Sequence, residues 1–220
     1  MPQKYHAVQT VCYGATVSTT TEPARDRRRE RGARTRERLL DATVACLIEL
    51  GYSRTSMQEI CTRAEVSRGA QLHHFPTKAG LMAEAVQHLT TRRIGELQAA
   101  GVQIPPGVAG IGAMIDVVWA GFSGPLAKAA MELWVASSTD PDLRASLLPV
   151  DRALGRATFD LSREALGPDI PQGPFETVFW LTVNLTRGLA LDTMIGGDGQ
   201  RRRELLEQWK ATATAMLAAG

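Results

Sequence analysis

The 220-residue sequence has few aromatic residues, few cysteines and no long uninterrupted apolar run. Aromatics make up only 5% of the chain, and no convincing alternation of Val, Ile or Thr indicates strands, whereas Ala, Leu, Arg and Glu are frequent. The composition therefore favours an all-α protein. With 44% hydrophobic residues the chain can bury a core, and its length suggests one or two domains.

The sequence lacks the motifs that are typical of several functional classes. The three scattered cysteines, Cys12, Cys46 and Cys61, fit neither a disulfide framework nor a zinc spacing. Four scattered histidines offer no metal site, and no nucleophile–base pair or glycine-rich phosphate loop stands at a usable spacing. The longest uncharged stretch, 97–115, carries a proline pair and several glycines, and no secretion leader opens the chain. We expect a cytoplasmic non-enzyme with no metal, no cofactor and no membrane contact.

Positive charge is concentrated toward the start of the chain. Residues 1–103 carry 15 Lys and Arg against 10 Asp and Glu, a balance of +5, whereas residues 104–220 carry 10 against 13, a balance of −3. A basic first part suits a polyanionic partner, although so modest an asymmetry also occurs by chance.

The sequence predicts four segments in chain order. Residues 1–30 lack hydrophobic periodicity and are expected to be a disordered basic arm. Residues 31–80 form a three-helix domain, whose first helix runs over about 35–50 and stops at Gly51. A connecting helix over 81–100 leads, through a Gly- and Pro-rich linker, to a larger helical domain. That domain covers 107–220.

The stretch 55–81 is the most informative part of the chain. Thr55 or Ser56 can cap a short helix, whose apolar residues recur at the i, i+3, i+4, i+7 spacing of one buried face. After a break at Glu65 and Val66, Ser67 can cap a second helix over 68–75, which Pro76 cannot continue. Two short, tightly joined helices are what a major-groove reader needs, because the groove holds one helix and the other braces it. The apolar residues of the first helix are Met57, Ile60, Cys61 and Ala64.

Residues 34–86 closely resemble the amino-terminal domain of the tetracycline-repressor (TetR) family of bacterial transcription regulators. The strongest markers are Gly51-Tyr52, Thr55, Ile60, Val66-Ser67, His74-Phe75, Lys78 and Leu81. The resemblance implies a helix-turn-helix head, a helical effector domain and a homodimer. The sequence departs from the family at Glu65, where Gly is usual because the turn often needs a left-handed residue, and at Gln71-Leu72, where Leu-Tyr is common.

The resemblance and the chemistry of the side chains together assign roles on DNA. Arg68 opens the second helix and is the best base reader, because a guanidinium pairs with guanine in bidentate fashion. Gly69 and Ala70 allow close approach, and Leu72 offers apolar contact. Each polar residue could instead be plain solvated surface, and His74 a packed helix-end histidine. The full candidate set on DNA is Thr55, Ser56, Gln58, Ser67, Arg68, Gly69, Ala70, Leu72, His73, His74 and Lys78, of which Thr55, Ser56, His74 and Lys78 resemble phosphate contacts.

Large apolar residues in the second half are either ordinary helical core or, as the family resemblance suggests, the lining of a cavity for a small, largely apolar effector. Embedded polar residues could orient such a ligand. The candidate pocket residues are Trp119, Phe122, Met131, Trp134, Phe179, Asn184 and Arg187.

The last two long helices look like the family's dimer-forming pair, which would bring two heads to a pseudo-palindromic operator. Their candidate contacts are Val178, Leu181, Leu185 and Leu189, with Gly188 and Ala190 permitting close approach. We therefore predict a ligand-responsive repressor that binds double-stranded DNA as a homodimer. An activator or a ligand-independent regulator is the alternative within the same fold, and a helical protein-interaction module the alternative outside it.

Overall fold

The computed structural model describes residues 22–99 and 104–219, and every regular element in them is helical. The all-α fold is thus confirmed. The helices are α1 (Glu22–Arg54), α2 (Met57–Ala64), α3 (Arg68–His74), α4 (Lys78–Ala99), α5 (Ile111–Gly121), α6 (Pro125–Ala136), α7 (Pro141–Leu166), α8 (Gln172–Met194) and α9 (Gly199–Ala218), with a 3₁₀ turn at Val108–Gly110 before α5.

Helix α1 begins earlier than the sequence pattern indicated. Residues 22–30 were expected to belong to the disordered arm but are helical, whereas the rest of that arm, 1–21, lies outside the described residues. The physical reason is that Arg, Glu and Ala are good helix formers without an apolar stripe. A search for apolar periodicity therefore misses such a solvated helix. The chain divides into two compact units between Thr35 and Arg36.

Gly51 interrupts α1 at the predicted stop. Its φ of 74° and ψ of 172° are far from helical, and the chain turns there toward Tyr52. A Cβ at this position would lie 2.5 Å from Glu132 Oε2, so both the backbone conformation and the space favour glycine.

One hydrophobic core joins the helix-turn-helix to the helices that follow the linker. Buried residues of α1, α2 and α4 pack together with Ala129 and Leu133 of α6 and with Leu143 and Leu147 of α7. Helices α6 and α7 therefore pack against the helix-turn-helix domain, and residues from both sides of the linker contribute to one core.

A second core lies among α5, α7, α8 and α9. Phe159 of α7 meets the rings of Phe175 and Phe179 of α8 at 5.3 and 5.2 Å between centroids. Gly155 lets α7 approach α8 closely, because a Cβ there would lie 3.1 Å from the indole of Trp180. Since Gly155 meets Trp180 and Asp151 meets Arg187, the two helices run antiparallel.

Candidate DNA interface and effector region

Serine caps fix the two helices of the motif. Ser56 Oγ accepts a 3.1 Å hydrogen bond from the N–H of Glu59 and starts α2, and Ser67 Oγ accepts one of 3.2 Å from Ala70 and starts α3. Each bond satisfies an amide that the first helical turn leaves unpaired. Of the two proposed caps for α2, the structure uses Ser56.

Glu65 occupies the left-handed position that the family resemblance assigned to glycine. Its φ of 49° and ψ of 46° make it the sole non-glycine residue with positive φ among the described residues. Arg38 of α1 binds both its carbonyl oxygen, at 3.2 Å, and its carboxylate, at 3.1 Å. This contact holds the strained turn against α1 and offsets part of its cost.

Gln71 and Leu72, which differ from the common family pattern, lie in different surroundings. Gln71 is fully buried; its amide nitrogen donates to the carbonyl of Phe75, and its Oε1 has no partner within the described part of the chain. The side chain thus closes the C-terminal end of α3 from inside. Leu72 points outward and is 47% exposed.

Most of the predicted DNA-contacting residues share one accessible face of α2 and α3. Arg68 opens α3, and no described residue pairs with its guanidinium. Gly69 has no heavy atom within 4 Å of where a Cβ would stand, so the backbone itself is accessible. Ala70 and His74 are half-buried. The exposed members are Ser56, Gln58, Ser67, Arg68, Gly69, Leu72 and His73.

Thr55 does not belong to this face. Its side chain is 1% exposed, and its Oγ1 donates a 2.7 Å hydrogen bond to the carbonyl of Gly51. The prediction of a phosphate contact by the Thr55 hydroxyl is therefore wrong, because the hydroxyl is consumed in closing the turn between α1 and α2.

Lys78 and His74 lie at the edge of the face and are both partly desolvated. The Lys78 ammonium stands 4.5 Å from the centroid of the Tyr52 ring, and burial lowers its pKa although Asp140 opposes that shift. Burial, and then the neighbouring His73 and Arg36, lower the pKa of His74. The lowered pKa favours the neutral imidazole of His74, which can offer a phosphate an N–H but not a full charge.

A groove of about 650 Å³ opens between α2 and the start of α3. The sequence placed Gln58, Ser67 and Arg68 near DNA but did not place Thr62 or Val66 there, although both line the same groove. The signal for Thr62 was its position one helical turn after Gln58. The complete lining is Met57, Gln58, Cys61, Thr62, Glu65, Val66, Ser67 and Arg68.

The seven predicted pocket residues do not form one site. Phe179 is fully buried core and Met131 is 4% exposed. The ring of Trp119 faces Arg202 of α9 at 5.6 Å. Asn184 is exposed and its amide donates to the carbonyl of Trp180, so its assignment to a pocket is wrong; it lies on the outer face of α8.

Three of the seven do come together. The Arg187 guanidinium carbon lies 4.0 Å from the centroid of the Trp134 ring and 5.6 Å from that of Phe122. These residues belong to α8, α6 and the end of α5.

The predicted dimer stripe also needs correction. Val178 and Leu189 are buried in the second core, and Ala190 is 5% exposed, so these three residues are not available to a partner chain. The outer face of α8 presents Leu181 and Gly188, which were among the predicted contacts, together with Asn184; the exposed Ile195 follows directly after the helix.

The chain is similar in sequence and in structure to known proteins. Residues 39–85 match the model of the bacterial regulatory proteins, tetR family. The HTH-type transcriptional regulator CymR of Pseudomonas putida is 30% identical over 81% of this chain and 89% of its own. An uncharacterized HTH-type transcriptional regulator of Mycobacterium tuberculosis is 29% identical over 87% and 96%. The crystal structure of a transcriptional regulator from Rhodococcus sp. Rha1 has a TM-score of 0.60 and 26% identity over 84% and 96%.

The fold, the accessible recognition helix and these relatives define a helix-turn-helix transcription regulator that binds DNA. The chain belongs to the tetR family of bacterial regulatory proteins. No helix in 22–99 or 104–219 is long and apolar enough to cross a membrane. Over the same residues, no three His, Cys, Asp or Glu side chains are grouped in a way that could hold a metal ion.

Proposed function

We propose that the protein is a ligand-responsive repressor that binds a pseudo-palindromic operator as a homodimer. The observation that carries the proposal is Arg68, which is exposed and unpaired among the described residues at the first position of the recognition helix. The next residue, Gly69, has no side chain that would keep DNA at a distance. A side chain at that position reaches base edges when the helix lies in the major groove.

The contacts to DNA divide by chemistry. Arg68 reads guanine, Gln58 and His73 meet bases or sugars at the edge of the half-site, and Leu72 packs on a thymine methyl. Ser56, Ser67, His74 and Lys78 lie around this set and position the head on the phosphates without reading sequence. Lys78 keeps its place through the Tyr52 ring, so its charge reaches the backbone from a fixed position.

The proposed dimer forms through the outer faces of α8 and α9. Trp209 Nε1 donates a 2.9 Å bond to Thr182 Oγ1, and Arg202 donates one of 3.0 Å to Thr193 Oγ1, so the two helices pair antiparallel. Both helices have exposed apolar residues on or next to them: Leu181 on α8 is 47% exposed, Ile195 directly after α8 is 85% exposed, and Leu205 on α9 is 44% exposed. Two such helices from each chain can bury this surface in a two-fold interface.

Sedimentation of the purified protein tests the dimer. The wild type is expected to have twice the chain mass, and Leu205→Glu to shift it toward the monomer because a charge would enter the apolar interface. Leu148→Glu is the matched control, since Leu148 on α7 is 40% exposed but lies outside the proposed face. A monomeric wild type, or equal effects of the two variants, would contradict the interface.

Footprinting on the DNA upstream of the chain's own gene, over a salt series, tests the regulator. We expect a symmetric protected site whose half-sites are one helical turn, ~34–36 Å, or more apart. Transcription from that promoter should fall when the protein is added, which distinguishes a repressor from an activator. Absence of a protected symmetric site on upstream or genomic fragments would overturn the proposal.

A further inference from the structure

Arg187 is a charged residue held inside the helical half of the protein. Its side chain is 18% exposed, and its guanidinium carbon lies 4.0 Å from the centroid of the Trp134 ring and 5.6 Å from that of Phe122. Aromatic faces of this kind stabilise a guanidinium by cation–π contact, and they also remove it from water.

The charge of Arg187 is only partly compensated. Asp151 Oδ1 stands 3.4 Å from its Nη2, at the long end of a hydrogen bond, and no other hydrogen bond is made to this guanidinium by the described residues. A guanidinium carries five N–H donors in a planar fork, so most of them are unused. Burial lowers the pKa of Arg187, and Asp151 offsets only part of that effect.

The cluster is reachable from solvent, unlike a structural ion pair in a core. Trp134 is 37% exposed, and the side chain of Asp151 is 33% exposed. Phe122 is half-buried at the end of α5. Apolar ring surface and unused donors therefore stand side by side at an accessible place between α5, α6, α7 and α8.

We propose that this cluster is the effector site and that its ligand is an organic acid, whose carboxylate replaces Asp151 as the partner of Arg187. A carboxylate matches the guanidinium fork with two parallel hydrogen bonds, which Asp151 does not provide from its present distance. The apolar body of the acid lies against Trp134 and Phe122. The inference rests on the ligand response proposed above, and it replaces the expectation of a largely apolar effector by an amphipathic anion.

Cationic and neutral ligands fit the cluster less well. Arg187 already covers the ring of Trp134, so a cation would have to displace one positive charge and then stand beside it. A neutral apolar molecule would offer no acceptor to the unused donors of Arg187, so it would gain nothing from them.

The exchange acts on the two helices that hold the DNA-binding head. Helix α6 carries both Trp134, in the cluster, and Glu132, which accepts a hydrogen bond from Tyr52. Helix α7 carries Asp151, and Asp140, which caps the first turn of α7, accepts a hydrogen bond from the Tyr52 hydroxyl. When the ligand displaces Asp151 from Arg187, α7 loses a contact with α8. The start of the same helix contacts the DNA-binding head through Asp140.

Calorimetry and thermal unfolding of the full-length protein, without DNA, test the site. The probes are benzoate, phenylacetate and hexanoate, compared with benzamide and benzylamine at constant ionic strength. We expect carboxylates to bind and to raise the melting temperature, whereas the amide and the amine do not. Arg187→Gln should weaken carboxylate binding about tenfold to a hundredfold, because a charge-assisted pair is lost, and Arg187→Lys should show a partial loss.

Asp151→Asn separates a binding site from a structural pair. If Asp151 competes with the ligand, its neutralisation should tighten carboxylate binding by roughly threefold to tenfold, a direction that a merely structural role would not produce. Arg156→Gln and Asp160→Asn, both exposed on α7, are the matched controls and should leave binding unchanged.

Equal binding of benzoate and benzamide, Arg187-independent binding, or no carboxylate binding by the wild type would each overturn the proposal. Weaker rather than tighter binding by Asp151→Asn would overturn the exchange. Operator binding is measured separately in the absence of probes. Failure of the regulator hypothesis therefore shows as a missing footprint, whereas failure of the acid site shows in the calorimeter.

Discussion

The backbone N–H of Tyr52 donates a 2.9 Å hydrogen bond to the Oε2 of Glu132, across 80 residues of sequence. The Tyr52 hydroxyl donates a second, of 3.2 Å, to Asp140 Oδ2. One residue at the end of α1 is thus fixed by α6 through its backbone and by the start of α7 through its side chain. The same ring contacts the ammonium of Lys78, the first residue of α4. Tyr52 therefore helps to fix where α4 begins after the recognition helix.

Glu132→Ala is expected to lower the free energy of unfolding by ~1.5–3 kcal/mol, the range for a hydrogen bond to a charged group. The amide of Tyr52 would lose its carboxylate, and the turn at Gly51 would lose its partner. Urea denaturation measures the change. Glu164→Ala is the control, because Glu164 is exposed on α7 and should cost little. Equal effects of the two substitutions would show that the contact contributes nothing.

Gly51→Ala should be more damaging, and its cost should depend on Glu132. The new Cβ would lie 2.5 Å from Glu132 Oε2, and its backbone would have to stay at φ 74°. We expect a loss of roughly 1–3 kcal/mol from the strain alone. Combined with Glu132→Ala, the loss should be smaller than the sum, because the clash disappears while the backbone strain remains. Strict additivity in denaturation would contradict the close contact.

The lowered pKa of Asp140 predicts that the free energy of unfolding decreases at acidic pH. The N–H of Leu143 is the first cause of its lowered pKa; desolvation opposes it, and the Tyr52 hydroxyl lowers the pKa further. A carboxylate with a lower pKa in the folded state contributes stability that is present above its unfolded value, about 3.9, and lost as the pH falls through its folded value.

Asp140→Asn should therefore lower stability at neutral pH and flatten the decline of unfolding free energy below about pH 4. Guanidinium titrations at several pH values measure this dependence. Asp160→Asn, on the exposed face of the same helix, should keep the wild-type decline. An unchanged slope in Asp140→Asn would show that the cap and the tyrosine contact do not depend on the charge.

The helix-turn-helix was predictable because its signals are local. Serine caps and a proline stop placed α2 and α3 to within a residue or two, since each acts through hydrogen bonds or sterics inside one turn of chain. Glu65 was recognised as an unusual residue through the family resemblance, which places Gly at this left-handed turn. The structure adds Arg38, which lies 27 residues away and leaves no trace in the local pattern.

The candidate site in the helical half was less predictable because burial depends on tertiary packing. Asn184 and Arg187 stand three residues apart on α8, yet Asn184 faces solvent and Arg187 is mostly buried near the rings of Trp134 and Phe122. Periodicity identified an apolar stripe through Val178 but not which side of α8 meets the core. Thr55 was assigned to DNA by its resemblance to the family's phosphate contacts, and only the turn at Gly51 shows where its hydroxyl goes.

Glu65→Gly should stabilise the protein. Removing a left-handed non-glycine residue recovers about 1–2 kcal/mol, from which the entropy of glycine and the exposed pair with Arg38 subtract about 1 kcal/mol. Glu65→Ala should destabilise, because it loses the pair and keeps the strain. The expected order of melting temperatures is thus Gly, Glu, Ala from highest to lowest. An alanine variant as stable as the glycine variant would mean that the backbone at this turn relaxes freely.

Gly69→Ala separates the fold from DNA binding more cleanly than any other change on the recognition helix. Nothing lies within 4 Å of the new Cβ, so the free energy of unfolding should stay level or rise by up to ~1 kcal/mol, because Gly costs roughly that much within a helix. Operator affinity should nevertheless fall, since the methyl group would hold the α3 backbone away from the groove.

Arg68→Ala makes the complementary test of base reading. Competition between operator and unrelated DNA should show the preference reduced by ~1–3 kcal/mol, the discrimination of one bidentate contact to guanine. Arg203→Ala, which removes an exposed charge on α9, controls for the loss of positive charge and should leave the preference intact. If Arg68→Ala weakens binding to both DNAs equally, the guanidinium binds phosphate, and the reading of bases passes to Gln58, Leu72 and His73 on the same face.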